Sequence, residues 1–427
     1  MTRPRIITTT SSICAFLLWT TTAFGQAAAP ISPQTASTSL RALLAEARQN
    51  NATVHAAERS IQTAEFMPKQ ASAFPDTEVM LQSFTVGSPR PFAGYSNSDF
   101  AYIGFGASQE LPYPGKRALR GDVAQRGIAI SRAEKEATTW DVLTRLKVAY
   151  FQLAASQQLV AVIEKNRQLA DEIEQAVEIR YRVGQGTQQD VLRAQLERSK
   201  LLNDLSMQRR VSTQAQVVLK ALLNRPPESA NIVPDPLALR HISEPASLYA
   251  KLRQSNPELQ VSTEQVSQSQ AAATLAKREE KPDFGVQYMW QHTASNFRDY
   301  YMGTFSVRLP NRARVRAAEA ESRARLTQSE AEKDARLKQM ESDLGEQIAI
   351  AQTSEQQLTV YEQGLIPQSE SALNAGLAGY RAGKQDYQGL IASYNDTLRL
   401  AMDRERALVE HETAVAQIER LIGEELQ

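Results

Sequence analysis

The strongest constraint on how this chain can fold is a near-repeat. Tyr181-Arg182-Val183-Gly184 returns about 200 residues later as Tyr380-Arg381-Ala382-Gly383, each copy inside a long run of helix-forming residues. Other landmarks keep roughly the same offset. Pro75-Asp76 and Pro282-Asp283 each open an alternating segment, Tyr102-Ile103-Gly104 is echoed by Tyr301-Met302-Gly303, and Leu111-Pro112 by Leu309-Pro310. The helix starts Ser39-Leu40 and Ser247-Leu248 also correspond. A period this long exceeds that of ordinary solenoids, so the chain reads as two copies of one large unit, residues 26–240 and 241–427.

Residues 1–25 read as a signal peptide. Arg3 and Arg5 form a positive start, Ile13 to Trp19 a short apolar core, and Ala23-Phe24-Gly25 a small-residue cleavage site before Gln26. The apolar run is too short to span a bilayer, and no later stretch approaches 18 uninterrupted apolar residues, so an exported protein without a transmembrane helix is expected. Cys14, the single cysteine, falls inside the signal core. The mature chain is therefore expected to carry no disulfide, thiolate metal site or cysteine nucleophile. Removing residues 1–25 takes Arg3 and Arg5 from the 48 basic residues and nothing from the 48 acidic ones, a net of −2. That balance argues against a nucleic-acid partner and against an acidic tail.

Each repeat reads as helix, hairpin, long helix, turn, helix. In the first, the spacing predicts a helix from Ser39 to about Ser72, strands over Asp76–Phe84 and Asp99–Glu110, and a long helix from Lys116 to about Arg180. Leu143, Leu146, Tyr150, Leu153 and Val160 supply a coiled-coil seam along that helix. Thr187 is placed to cap the next helix, which ends near Asn224 before Pro226-Pro227. In the second repeat the helix of Ser247–Glu280 is broken at Pro257. Strands cover Phe284–His292 and Tyr300–Leu309, a helix from Asn311 to Gly379 kinks at Pro367, and a last helix reaches Leu421. The proline-rich segment 225–245 joins the repeats. The helix after the first hairpin is much longer than the one after the Tyr-Arg turn. Two shorter helices stacked end to end are therefore expected to run beside one long one.

The strands come as isolated hairpins with alternating character. Phe284, Val286, Tyr288 and Trp290 point one way and Gly285, Gln287, Met289 and Gln291 the other; Phe305 and Val307 oppose Thr304, Ser306 and Arg308. One apolar, aromatic face and one polar face suit a transmembrane β-strand with the first set, Phe305 and Val307 against lipid. Four strands cannot close a barrel, and unpaired edges are untenable in lipid. Several copies must combine: two give eight strands, the smallest usual barrel, and three give about twelve, with room for a lumen.

These features resemble the TolC-type outer-membrane efflux channels over essentially the whole mature chain. The resemblance rests on the paired Tyr-Arg-x-Gly turns at 181–184 and 380–383, the run Gln109-Glu110-Leu111-Pro112-Tyr113-Pro114-Gly115-Lys116-Arg117, and Leu223-Asn224-Arg225-Pro226-Pro227 closing the first repeat. It implies a mainly α fold with a small β part: a homotrimer whose outer-membrane β-barrel continues as a periplasmic α-helical barrel. It also implies docking onto a periplasmic adaptor (membrane fusion) protein and an inner-membrane pump. Leu-Pro-Tyr-Pro-Gly-Lys-Arg looks most like the branch serving metal-cation efflux. A multidrug or type I secretion exit duct is the alternative within the family; a periplasmic coiled-coil scaffold or adaptor is the alternative outside it.

In such channels the helix tips form a periplasmic gate and the adaptor-docking surface. Tyr181 and Tyr380 match the turn tyrosine, and Asp190 the aspartate that follows it. Where the family carries two aspartates three residues apart, this chain has Gly389 and Ala392, with Asp386 the nearest acid. Symmetry turns each lumen-facing residue into a ring, and aspartate rings select cations. Asp386, Lys384, Arg381 and Asp190 are the candidate gate residues, with Gly184, Gly186 and Gly383 as turn formers. His55, His241, His292 and His411 show no ligand spacing, the glycines form no phosphate loop, and no catalytic order of residues stands out. Pairs such as Glu319 with Arg323 fit helix surface pairing, and neither an enzyme nor a cofactor or resident metal is expected.

Overall fold

A computed structural model of the protein describes residues 38–95, 98, 100–293 and 299–426. The expected signal peptide, with Cys14, lies outside them. The first repeat contains α1 (Leu40–Asn50), α2 (Ala52–Ser72), β1 (Glu78–Phe84), β2 (Tyr102–Leu111), α3 (Lys116–Arg182) and α4 (Gln188–Leu222). The second contains α5 (Pro245–Ser255), α6 (Pro257–Arg278), β3 (Asp283–His292), β4 (Asp299–Arg308), α7 (Arg312–Val360), α8 (Ile366–Arg381) and α9 (Tyr387–Ile422).

At a rise of about 1.5 Å per residue, the 67 residues of α3 extend roughly 100 Å. Both α2 and α4 pack along α3, and α6 and α9 along α7. The coiled-coil seam is the core: Leu143, Leu146, Tyr150 and Leu153 are buried against Leu43, Leu44, Leu219 and Leu223. Val160 joins the next cluster down, built on Ile163, Ile173, Leu201 and Tyr394. By length and composition α3 could cross a membrane, but most of its apolar stretch is buried among these helices.

The helix expected from Ser39 to Ser72 is two helices. Asn51 is extended, at φ −66° and ψ 127°, and its side chain accepts from the N–H groups of Thr53 and Val54 while donating to Leu222 O at 2.8 Å. Asn256 does the same in the second repeat. It accepts from Leu259 N at 2.6 Å and donates to Leu421 O at 2.7 Å. A buried asparagine thus caps one helix start and ties it to the last turn of the repeat's closing helix. Pro257 alone does not explain the break, because the first repeat breaks at the same place without a proline.

The kink expected at Pro367 takes the form of a π turn over Tyr361–Leu365, with Ile366 N–H bonded to Tyr361 O. Proline offers no N–H and its ring crowds the carbonyl four residues back. A wider turn just upstream accommodates both. The inter-repeat segment is tied down by side chains: Gln216 brackets Ile232 with bonds of 2.6 and 3.0 Å, and Lys220 Nζ donates to Pro227 O and Ser229 O.

The hairpins are not isolated, contrary to expectation. β2 pairs with β3, giving one antiparallel sheet in the order β1-β2-β3-β4. Lys116 secures the junction beneath it. This lysine is 1 % exposed, and its ammonium lies 2.8 Å from Lys281 O, 2.9 Å from Asp283 and 3.1 Å from Glu279. Asp283 also accepts from Tyr113 N at 2.8 Å. Midway down the rod, Lys147 on α3 meets Glu419 on α9 at 2.6 Å with both side chains buried, and Arg240 pairs with Glu412 and Glu419.

Asn51→Ala and Asn256→Ala each remove a cap and strand a buried carbonyl. Each is expected to cost about 2 kcal/mol in denaturant unfolding followed by circular dichroism, and Asn→Asp is expected to lose at least as much, because the cap survives but a buried carboxylate then faces the carbonyl with no proton to donate. A loss within about 0.5 kcal/mol for the alanine variants would show that the break is set by backbone packing alone.

Candidate functional site

Two regions of the chain show features that folding alone does not require. The first is the pair of turns at the far end of the rod. α3 ends in a left-handed Gly184 (φ +75°) and α8 in a left-handed Gly383 (φ +71°). The bonds match as well: Gln185 N reaches Arg180 O at 2.8 Å and Lys384 N reaches Gly379 O at 2.8 Å, the helix-ending pattern that a left-handed glycine permits. Gly186 is not left-handed. A Cβ there would sit 3.2 Å from Tyr181 N, so close approach accounts for it.

The two turns differ in what surrounds them. Tyr181 is exposed, whereas its counterpart Tyr380 is buried beneath the Arg180 guanidinium, 4.7 Å from the ring centre. Arg180 also donates to Tyr380 O at 3.0 Å and to Gln185 O at 3.2 Å, so one side chain grips both turns. The equivalent of Arg180 in the second repeat is Gly379, where an added Cβ would press on Gln385 at 3.2 Å. Behind Tyr380, the ring of Tyr387 packs edge-on at 6.4 Å, and Tyr394 OH donates to Asn166 O at 3.1 Å. Burial, reinforced by the nearby Glu197, pushes the hydroxyls of Tyr387 and Tyr394 well above the usual phenol range. Both therefore stay neutral at any physiological pH, and only the Tyr394 hydroxyl has an acceptor.

The sequence-predicted gate residues gather at these turns but have local partners. Asp190 completes a capping box with Thr187, accepting from its N–H at 3.2 Å and its hydroxyl at 2.8 Å. Asp386 is the N-cap of α9 and accepts from Gly389 N at 2.9 Å. Arg381 reaches Glu172 at 3.3 Å on the surface, and Lys384 is exposed at the turn. Both aspartates have an exposed side and a structural task, which their position after the turns does not separate. Arg180 was missed by sequence reasoning; the signal available was its replacement by Gly379 beside two otherwise matching turns.

The second region is the sheet. Register places Phe105 beside Trp290, Val286 beside Phe305, Phe284 beside Val307, and Leu81 beside Phe105 on one face. Of the residues expected to face lipid, Val286, Tyr288, Trp290, Phe305 and Val307 are exposed, whereas Phe284 is half-buried, stacked on Phe305 and Tyr113. Val79, Leu81 and Phe105 extend the same face across the first hairpin, at 65 %, 79 % and 53 % exposure. A contiguous apolar face this large marks a surface meant for another apolar phase or another chain. The opposite face carries Gln82, Ser108, Gln287 and Thr304.

His411 is fully buried between Ala351 O and Arg240 O, whereas His241 is exposed and pairs with Glu355 at the surface.

A four-stranded antiparallel sheet carried on long helices is also the fold of solved outer-membrane channels. CusC overlays with a TM-score of 0.77 at 15% identity, over 90% of this chain and 92% of its own. The outer-membrane channel OprN gives 0.76 at 16% over 90% and 89%, and VceC of Vibrio cholerae 0.74 at 16% over 91% and 97%. No curated protein matches the sequence. The model of the outer membrane efflux protein family matches residues 43–225. Over those residues the chain resembles the outer membrane efflux protein family.

Replacing Arg180 with Met keeps the aliphatic stem and removes the grip on both turns. Hydrogen exchange at residues 181–187 and 380–386 is expected to accelerate by about 30-fold or more, the loss of roughly 2 kcal/mol of charge-assisted bonding, with exchange in the α1 to α3 core unchanged. Unchanged protection at both turns would remove Arg180 as their clasp.

Proposed function

We propose that this protein is the outer-membrane exit channel of a tripartite efflux system. It assembles as a homotrimer, receives substrate from a periplasmic adaptor and an inner-membrane pump, and conducts it passively to the outside. The observation that carries this reading is a four-stranded sheet with a bare apolar face and two free edges, β1 and β4. In hydrocarbon each unpaired backbone group costs several kcal/mol, so these edges need partners, and identical copies supply them by pairing β4 of one with β1 of the next. Three copies give about twelve strands, enough for an aqueous lumen. The helical rods then continue the duct into the periplasm, and the turns at 181–187 and 380–386 form its inner mouth.

Substrate selection lies mainly in the pump, because a wide duct need not recognise what it passes. Within the family, the run Leu111-Pro112-Tyr113-Pro114-Gly115-Lys116-Arg117 favours metal cations as cargo. Growth of a strain lacking the gene is expected to fail on graded copper, zinc, cobalt or nickel salts. Sensitivity to dyes, detergents and antibiotics instead would make the protein a multidrug duct, and recovery as a soluble periplasmic rod would remove the channel reading.

The gate contribution of Asp386 is separable from its capping role. Asp386→Ser keeps an N-cap acceptor and removes the charge, whereas Asp386→Ala removes both and costs about 1 kcal/mol at the α9 start. If the charge forms a selecting ring, both variants lower cation preference in planar bilayers. Ion selectivity and closed-state leak unchanged in the serine variant would assign Asp386 to capping alone.

A further inference from the structure

Just below the apolar face of the sheet, two arginines lie on aromatic rings with no carboxylate to pair with. The ring of Phe284 stacks on Phe305 at 5.9 Å within the face and on Tyr113 at 6.4 Å beneath it. The Arg278 guanidinium lies 5.0 Å from the centre of the Tyr113 ring and donates to Pro114 O at 3.0 Å. Arg117 lies 3.4 Å from the centre of the exposed Phe74 ring and donates to Ser72 O at 2.8 Å. Each guanidinium thus spends one N–H on a backbone carbonyl and keeps its other donors for something outside the chain.

The acids at this level are engaged elsewhere. Glu279 is held by Lys116 and Arg120, Asp283 by Lys116, and Glu280 by Lys281 at 2.9 Å. Asp76 lines the concavity on the polar face of the sheet together with Glu78 and Glu110. Cations inside the junction are therefore matched, and the two on its apolar side are not. Their place in the topology also keeps them open. Arg117 follows β2 and Arg278 precedes β3, so both sit beneath the two inner strands, and copies that pair along β1 and β4 leave them uncovered.

Aromatic rings at the end of a lipid-facing strand lie at the level of the headgroups, where phosphate is the abundant anion. A guanidinium held against a ring by a carbonyl bond has little freedom left to lose, and its planar N–H groups fit two phosphate oxygens at once. We propose that Arg117 and Arg278 bind the phosphate of an anionic phospholipid headgroup in the membrane leaflet nearest the helical rod. The acyl chains of that lipid then run along Phe284, Phe305 and Val286. This rests on the reading of the apolar face as lipid-facing, and it names the lipid class which that face selects. In a trimer the pair recurs under each sheet, so bound headgroups ring the barrel where strands give way to helices and fix its depth in the bilayer.

The test places the unmutated full-length protein in bilayer discs of phosphatidylcholine alone, or of phosphatidylcholine and phosphatidylglycerol in equal parts. Amide exchange over residues 115–119 and 277–281 is expected to be slower by about threefold or more with phosphatidylglycerol present. Native mass spectrometry after extraction into detergent is expected to find phosphatidylglycerol retained over phosphatidylcholine by about tenfold. Arg117→Gln combined with Arg278→Gln is expected to abolish that preference, and Arg323→Gln on the rod to leave it intact. Equal exchange in the two discs, no preference in the parent, or a preference that survives the paired glutamine change would each overturn the site. The same slowing produced by millimolar inorganic phosphate in detergent free of phospholipid would make it a free-anion site and overturn the lipid assignment. Exchange is read on the unmutated protein, so it decides even where the glutamine variant fails to assemble. The lipid-facing reading has its own readout, quenching of Trp290 by phosphatidylcholine with brominated acyl chains. Absence of quenching refutes that reading, whereas quenching without any phosphatidylglycerol effect refutes the arginine site alone.

Discussion

Everything above and below the junction depends on how one buried ammonium is satisfied. The strands satisfy their backbone groups sideways and the helices along their own axes, so the chain must change partner within a few residues. At that level α3 begins at the left-handed Gly115, which has no side chain to cap it. Lys116, the first helical residue, reaches back instead to Lys281 O, Asp283 and Glu279 on the other repeat. A lysine removed from water is tolerable only when its charge and donors are all matched, and two carboxylates and a carbonyl match them here. Asp283 in turn holds Tyr113 N, and Arg278 closes on Pro114 O. The knot fastens the end of the first hairpin to the start of the second, and that is what makes two hairpins a single sheet with two outer edges.

The same device recurs down the rod wherever the repeats meet. Lys147 and Glu419 join α3 to α9 inside the core, and Arg240 brings the inter-repeat segment to Glu412 and Glu419. Buried ion pairs of this kind add little net stability over apolar packing, but they tolerate few alternative alignments. For helices with repetitive Ala, Gln and Glu surfaces that matters, because such surfaces slide past one another at small cost. Asn51 and Asn256 fix the same register from the other side, each tying a short helix to the closing turn of its repeat.

The duplication, the element order, the coiled-coil seam and the apolar strand face were all legible in the sequence, because each is a periodic pattern and periodicity survives without knowledge of the partner. Strand ends fell within three residues of their observed positions for the same reason. What was not legible depended on a single residue acting at long range. The helix break at Asn51 has no proline to announce it, only a polar side chain whose second partner, Leu222, lies in another helix. The joining of the hairpins required Lys116 to find Asp283 across 167 residues. At the tips, the acids drew notice because charge is conspicuous in a sequence. Arg180 did not, since an arginine near a helix end is ordinary until its three backbone acceptors are known.

The two ends of the rod are held very differently. Near the sheet, Lys116, Arg117, Arg120 and Arg278 make a dense set of contacts, including the Arg117 guanidinium 3.4 Å from the Phe74 ring centre. At the tips, roughly 100 Å away, the two turns are bridged by the single side chain of Arg180, and the aspartates cap their own helices rather than the opposite turn. Segments with few buried contacts and exposed backbone bonds open at low free-energy cost, and they are where motion concentrates. Divergence between the repeats sharpens this, because the position of Arg180 is occupied by Gly379 in the second copy. The duplicated turns therefore share the Arg180 clasp, and the second is held as well by the buried cluster of Tyr380, Tyr387 and Leu390.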